Sequence, residues 1–174
     1  MNALTARQAL DLIGAPAGST LLVTGASGAV GGFAAQLAVQ DRLRVLALAS
    51  DDDEEWVAGL GPAEVLPRGC DLARLSPVDA VLDAVPLGAA ATAPVRDGGV
   101  AVFTRRVELP SARLRVESLL ADSDPVALAQ LAAQVADGRL RTRVSRTLDL
   151  DAAADAHRLL ERGGLRGKVV LRTQ

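Results

Sequence analysis

The sequence predicts an α/β fold: a doubly wound, parallel six-stranded sheet followed by a C-terminal strand–helix–strand appendage. Three observations lead there. Short, continuously apolar runs of Val, Leu and Ala recur along the chain, the pattern of strands buried on both faces. Helix-length segments separate most of them, which is the alternation of a parallel sheet with covered faces. A chain that is 49% hydrophobic but only 2% aromatic must pack its core from small aliphatic side chains in close layers.

Asn2 to Ile13 reads as a helix, apolar at Leu4, Ala9, Leu10 and Ile13 and stopped by Gly14 and Pro16. Ser19 to Gly25 is the first strand, and Gly28 to Gln40 a helix with small residues on one face. Leu43 to Ser50 is the second strand. A helix over Asp52 to Leu60 follows, with Ser50 or Asp51 as its cap and the acids of DDDEE (Asp51 to Glu55) suiting its dipole. Ala63 to Leu66 is a third strand and Val78 to Val85 a fourth, followed by a helix through Val95 that stops at Asp97-Gly98-Gly99. Gly99 to Thr104 and Ala112 to Leu119 are the fifth and sixth strands. Pro125 to Ala136 is helical and Gly138 ends it. The tail reads strand, helix capped by Asp149 or Asp151, glycine turn, strand.

The rare residues exclude whole chemistries. One Cys (Cys70) forbids an internal disulfide, and with one His (His157) it cannot make a four-ligand zinc site, so no metal is expected. His157 lies in an amphipathic helix and reads as structural. The absence of Tyr removes a Tyr general acid. A net charge of −2 and a pI near 5.4 argue against nucleic acid. No apolar run approaches the ~18 residues of a membrane span, and no leader pattern is seen, so a cytoplasmic, membrane-free protein is the expectation.

The chemistry-bearing stretch is LLVTGASGAVGGFAAQ, Leu21 to Gln36. Gly25 permits a tight exit from the first strand, Gly28 a close approach of backbone to a pyrophosphate, and Gly31 close packing of helix on strand. The helix start and its dipole then favour an anion.

That stretch and its surroundings, ALTARQALDLIGAPAGSTLLVTGASGAVGGFAAQLA, resemble the cofactor domain of the zinc-independent medium-chain dehydrogenase/reductases, the quinone oxidoreductase and enoyl reductase branch. VDAVLDAV, RDGGVAVF and DGRLRTRVSRTLDLDAAADAHRLLERGGLRGKVVL follow in family order, so the likeness runs from Ala3 to Leu171. The resemblance implies a single Rossmann-type dinucleotide-binding domain over residues 1–174: a linking helix (1–18), the core (19–140) and the appendage (141–174). It implies NADPH with its pyrophosphate on Ala26, Ser27, Gly28, Ala29 and Val30, within the turn bounded by Gly25 and Gly31. The adenosine phosphate falls near Ala49, Ser50 and Arg68, and the nicotinamide near Ala84, Val85, Phe103 and Thr104.

The family's GroES-like catalytic domain precedes this point, and Met1 falls where its linking helix begins. The expectation is therefore a domain without its lid, whether excised or naturally short, whose tail folds onto the sheet or meets a second chain. A homodimer through the edge strand near Leu114 to Glu117 is expected, because an unpaired edge invites pairing. Ala49-Ser50 is the small-residue pattern of NADPH enzymes, while DDDEE opposes a 2′-phosphate unless Arg68 compensates; NADH ranks second. Asp83, Thr104 and Arg105 are the polar candidates for catalysis at the sheet's mouth, and Lys168 reads as an anchor for the carboxyl end.

The leading expectation is an oxidoreductase that transfers hydride to an enone or quinone, a small-molecule substrate, with a partner chain or dimer mate closing the site. A non-redox cyclase or isomerase of a biosynthetic pathway, using the same cleft without cofactor, is the alternative. A non-catalytic dinucleotide-binding partner is the third.

Overall fold

The computed structural model describes residues 1–173; Gln174, the last residue of the expected appendage, lies outside the described residues. Helix α1 spans Asn2–Ile13 and closes on Gly14, whose φ of 61° is the left-handed turn that glycine adopts without strain. The strands are β1 (Thr20–Thr24), β2 (Arg44–Ala49), β3 (Glu64–Pro67), β4 (Val78–Asp83), β5 (Val95–Phe103) and β6 (Arg115–Ser118). All pair in parallel, in the order β3-β2-β1-β4-β5-β6. Connections run outward from β1 to β3 and then outward again from β4 to β6. The direction of winding therefore reverses between β1 and β4, and a crevice opens beyond their carboxyl ends.

Alternation along each strand splits the core in two. Leu21 and Val23 of β1 face α1, α2 (Ala29–Gln40) and α4 (Pro125–Ala136), while Leu22 faces the opposite layer with Val81 and Phe103. Each fully buried Leu or Val contributes roughly 1.5–3 kcal/mol of hydrophobic stabilisation. The second layer is covered chiefly by loops and 3-10 turns at Leu72–Arg74 and Gly88–Thr92. The helix expected between the fourth and fifth strands is one of these short turns. Pro86 and Pro94 bracket it, Gly88 takes φ +58°, and β5 already begins at Val95. A register shift against β4 absorbs the Asp97-Gly98-Gly99 segment that was expected to separate helix from strand.

The helix expected over Asp52 to Leu60 is a 3-10 turn, Asp51–Asp53, followed by α3, Glu54–Ala58. Neither Ser50 nor Asp51 caps it with a side chain; the Ser50 hydroxyl donates to Asp53 Oδ2 at 2.7 Å. The appendage comprises β7 (Val144–Asp149), a 3-10 turn (Leu150–Ala152), α5 (Ala153–Arg162) and β8 (Lys168–Arg172). Its two strands form their own parallel sheet, separate from the six-stranded one. Asp149 and Asp151 cap nothing by side chain; Asp149 pairs with Arg172 across the two strands at 2.7 Å instead. No helix among the described residues is long and apolar enough to cross a membrane.

Candidate functional site

The β1–α2 turn occupies the crevice. Gly25 has φ +63°, and a Cβ there would run into Val85 Cγ1. A Cβ on Gly31 would fall 2.7 Å from the Gly25 carbonyl carbon and 3.1 Å from Ala26 Cα, so helix and strand touch backbone to backbone. Gly28 is different: its φ of −81° suits any residue, and an added Cβ would meet only Gly25 O at 3.1 Å. Its lack of a side chain leaves the helix start open, with no side-chain cap on α2.

The donors can be counted. Ala26 N–H donates to Leu48 O at 3.0 Å and Gly28 N–H to Gly25 O at 2.9 Å, so these two amides of the expected cradle are occupied. The first intrahelical bond runs from Gly32 N–H to Gly28 O at 2.9 Å. Ser27, Ala29 and Val30 are left with amides that have no acceptor among the described residues. Open amides, the dipole of a twelve-residue helix and the missing Cβ together fit a pyrophosphate.

Two cavities flank this turn and share Ser27. The smaller, about 300 Å³, gathers Gly25, Ser27, Ala49, Arg68 and Val85, residues the sequence placed along one cofactor. The larger, about 460 Å³, runs from Ser27, Gly28 and Ala29 past Phe33 to the appendage, where Lys168 lines it. Lys168 was expected to anchor the carboxyl end; its exposed side chain instead borders the cavity beside the open helix start, with no ion pair among the described residues. It is the only lysine in the chain and follows Gly167, signals that could have pointed to it.

The catalytic candidates fare unequally. Asp83 is 2% exposed. Its Oδ1 accepts from the Thr24 hydroxyl at 2.5 Å, and its Oδ2 from the amides of Leu87 at 3.2 Å and Gly88 at 2.9 Å. It therefore holds the loop after β4, with Thr24 in turn accepting from Ala84 N–H at 3.1 Å. Thr104 Oγ1 donates to Asp83 O at 3.3 Å. Phe103 is fully buried in the second core layer and its carbonyl accepts from Leu119 N–H, so it supports the site from beneath. Arg105 is exposed beyond β5. His157 is exposed on α5, away from both cavities.

Two of the five acids in the run, Asp52 and Asp53, are engaged by the appendage. Arg143 lies 2.7 Å from Asp53, and Arg166 lies 2.7 Å from Asp52 and 3.5 Å from Asp53. Burial alone would raise the Asp53 pKa, but the Ser50 hydroxyl and then Arg143 and Arg166 outweigh it and hold the carboxyl below the usual carboxylate range. Arg143 lies 90 residues from Asp53 in the chain and Arg166 lies 114 from Asp52, and no local pattern announces them.

A family model described as zinc-binding dehydrogenase matches residues 62–171, well over half of the chain. The chain belongs to the zinc-binding dehydrogenase family. Among its described residues, no cluster of three or more His, Cys, Asp or Glu could hold a metal ion. Among solved structures, this dehydrogenase-family chain is similar to the quinone oxidoreductase from Coxiella burnetii, at 29% identity and a TM-score of 0.84, over 100% of this chain and 59% of that one. An NAD-dependent alcohol dehydrogenase matches at 28% identity and TM-score 0.82, over 99% and 57% of the two chains. CurA from Vibrio vulnificus, solved in complex with NADPH, shares the fold at 22% identity and TM-score 0.76, over 100% and 63%. The chain thus spans less than two thirds of each of these proteins. Comparison with curated proteins gives no match.

Proposed function

We propose that this chain binds a nicotinamide dinucleotide across the β1–α2 turn and serves hydride transfer to an enone or quinone. The observation that carries this reading is the open start of α2, with unengaged amides at Ser27, Ala29 and Val30, between two cavities that meet at Ser27. These amides and the helix dipole hold the pyrophosphate, and Lys168 supplies its counter-charge from the appendage. Ala49, Ser50 and Arg68 receive the adenosine ribose. Ala84, Val85 and Thr104 face the nicotinamide, with Phe103 packed beneath. The nicotinamide, when bound, supplies the hydride; the protein's part is orientation and electrostatics. Asp83 keeps the β4 loop in place, and Arg105, exposed just beyond β5, is the charged donor offered for negative charge developing on a substrate oxygen.

NADPH is the preferred partner in this reading. Arg68 lines the ribose-side cavity, and Arg143 and Arg166 offset two acids of the run, Asp52 and Asp53. Among the described residues the outer edge of β6 is unpaired, which supports a homodimer through the edge strand near Leu114 to Glu117, and a dimer mate or partner chain then covers the crevice. Titration of the purified chain with NADPH and NADH, followed by nicotinamide fluorescence, tests the reading. Both bind, NADPH more tightly. Lys168→Met loses about tenfold in affinity, the worth of one charge-assisted contact. No binding of either dinucleotide at millimolar concentration overturns the proposal.

A further inference from the structure

The least explained cluster in the molecule joins the appendage to the turn after β2. Two guanidinium groups lie over the Trp56 ring, Arg141 at 4.5 Å and Arg143 at 5.1 Å from its centroid. Arg141 also donates to Gly59 O at 2.9 Å, and Gln36 Oε1 accepts from Arg141 N–H at 2.7 Å. Arg143 is bonded to Asp53, which also takes the Ser50 hydroxyl, while Arg166 bridges Asp52 and Asp53. Asp53 and Arg143 are largely shielded, at 10% and 23% side-chain exposure; Arg166 and Asp52 are more open, at 47% and 78%. From residue 144 to 164, no hydrogen bond or ion pair among the described residues ties the appendage to the core. It is fastened at its two roots, by three arginines.

Those roots also form one wall of the larger cavity. Val144, Leu165 and Lys168 face Ser27, Gly28 and Phe33 across it. We propose that Asp52, Asp53 and Trp56 with Arg141, Arg143 and Arg166 form an ionic latch that holds the Lys168 wall over the glycine turn. Through the Ser50–Asp53 bond, closure of this latch and binding of a dinucleotide ribose become one coupled event. The coupling rests on the cofactor reading above; the latch itself does not. Asp53 is a positioning residue here, acting on ligand through Ser50 and Arg143. Coupling is reciprocal, so a dinucleotide that favours the closed form must also tighten the latch.

Trp56 is the only tryptophan, so its accessibility to a neutral quencher, acrylamide, reports the latch directly. In the full chain without cofactor, raising NaCl from about 0.05 to 1 M screens the exposed Arg166–Asp52 pair and increases quenching. Arg166→Met and Arg143→Met show that increased quenching already at low salt, with far-UV circular dichroism unchanged. Arg143→Met keeps a stem for packing on Trp56 and weakens NADPH affinity about tenfold, the low end of coupling energies. NADPH in turn protects Trp56 from acrylamide in the wild type. Quenching of the wild type that is indifferent to salt overturns the latch, whatever the variants do. A salt-sensitive latch in a protein that binds neither NADPH nor NADH refutes the cofactor reading and the coupling while leaving the latch. NADPH binding equal in wild type and Arg143→Met, with no protection of Trp56, overturns the coupling alone.

Discussion

Replacing Gly31 by Ala puts one methyl group where β1 and α2 meet. The added Cβ would sit 2.7 Å from the Gly25 carbonyl carbon and 3.1 Å from Ala26 Cα. Both are backbone atoms, so no flexible side chain can move aside. The turn itself is pinned by the Ala26–Leu48 and Gly28–Gly25 hydrogen bonds. Overpacking of this kind costs roughly 1–3 kcal/mol. Stretching the two pinning bonds adds up to about 1 kcal/mol each. The better helix propensity of Ala returns about 1 kcal/mol. At mid-range these contributions leave a net destabilisation of about 2 kcal/mol, which for a chain of this size lowers Tm by about 4–8 °C. Thermal unfolding followed at 222 nm measures it. Gly69→Ala, which has no atom within 4 Å of its new Cβ, is the control and stays within about 0.5 kcal/mol of wild type. A Gly31→Ala protein as stable as the control would refute the backbone-to-backbone contact and the geometry built on it.

Gly28→Val separates folding from binding. Its φ suits valine, but the new Cβ meets Gly25 O at 3.1 Å, so stability falls by about 1–2 kcal/mol of tight packing and lost capping preference, while the isopropyl group covers the open amides and dinucleotide binding by fluorescence titration is lost. Acid lowers stability through two carboxylates. Arg96 and the Thr20 amide hold Asp79 below its ordinary value, and Ser50, Arg143 and Arg166 hold Asp53 below its own against the opposing effect of burial. Depressed carboxylate pKa values stabilise the fold above the unfolded value of about 3.9 and lose that contribution as pH falls through the folded values. Tm is therefore level from pH 7 to about 5 and drops below about 4, and Asp79→Asn, lower at pH 7, shows a shallower acid limb; parallel curves for variant and wild type would contradict the assignment.

Where a signal is local, the sequence carries the structure to the residue. Helix α4 runs from Pro125 to Ala136 as its pattern implies, because Asp124 accepts the Ala127 amide at 2.9 Å, Pro125 opens the helix, and Gly138 takes φ +79° just beyond it. The glycine turn is equally legible: Gly25 takes φ +63°, Gly31 packs on the Gly25 and Ala26 backbone, and Gly28 leaves the helix start open. The alanines of Gly88–Thr92 mislead because helix propensity is weak beside two prolines and a short crossing between neighbouring strands. Ser50 misleads in another way. It looks like a cap, but a carboxylate three residues on captures its hydroxyl, and that carboxylate is fixed in turn by Arg143. At the site, the sequence brings together Gly25, Ser27, Ala49, Arg68 and Val85 but cannot tell an open amide from an occupied one. That difference hangs on Leu48 O accepting from Ala26, a tertiary contact between strands. The burial of Phe103 and the three-donor cage around Asp83 are likewise products of the assembled sheet.

The small sheet of β7 and β8 has a consequence for how the chain breathes. Two parallel strands alone lack the neighbours that make such pairing durable, and this pair leaves Val144 51% and Val170 41% exposed. Ala156 is the only buried residue of α5, the helix between them. The six-stranded sheet, by contrast, keeps Leu21, Leu22, Val23 and Val81 fully out of water. Backbone amides of the two regions will therefore exchange with deuterium on separate clocks: those of β1 and β4 only on global unfolding, and those of β7 and β8 through a cheaper, local opening. The polypeptide behaves as two cooperative units of unequal stability, and the weaker one can come undone and re-form many times within a single lifetime of the folded core.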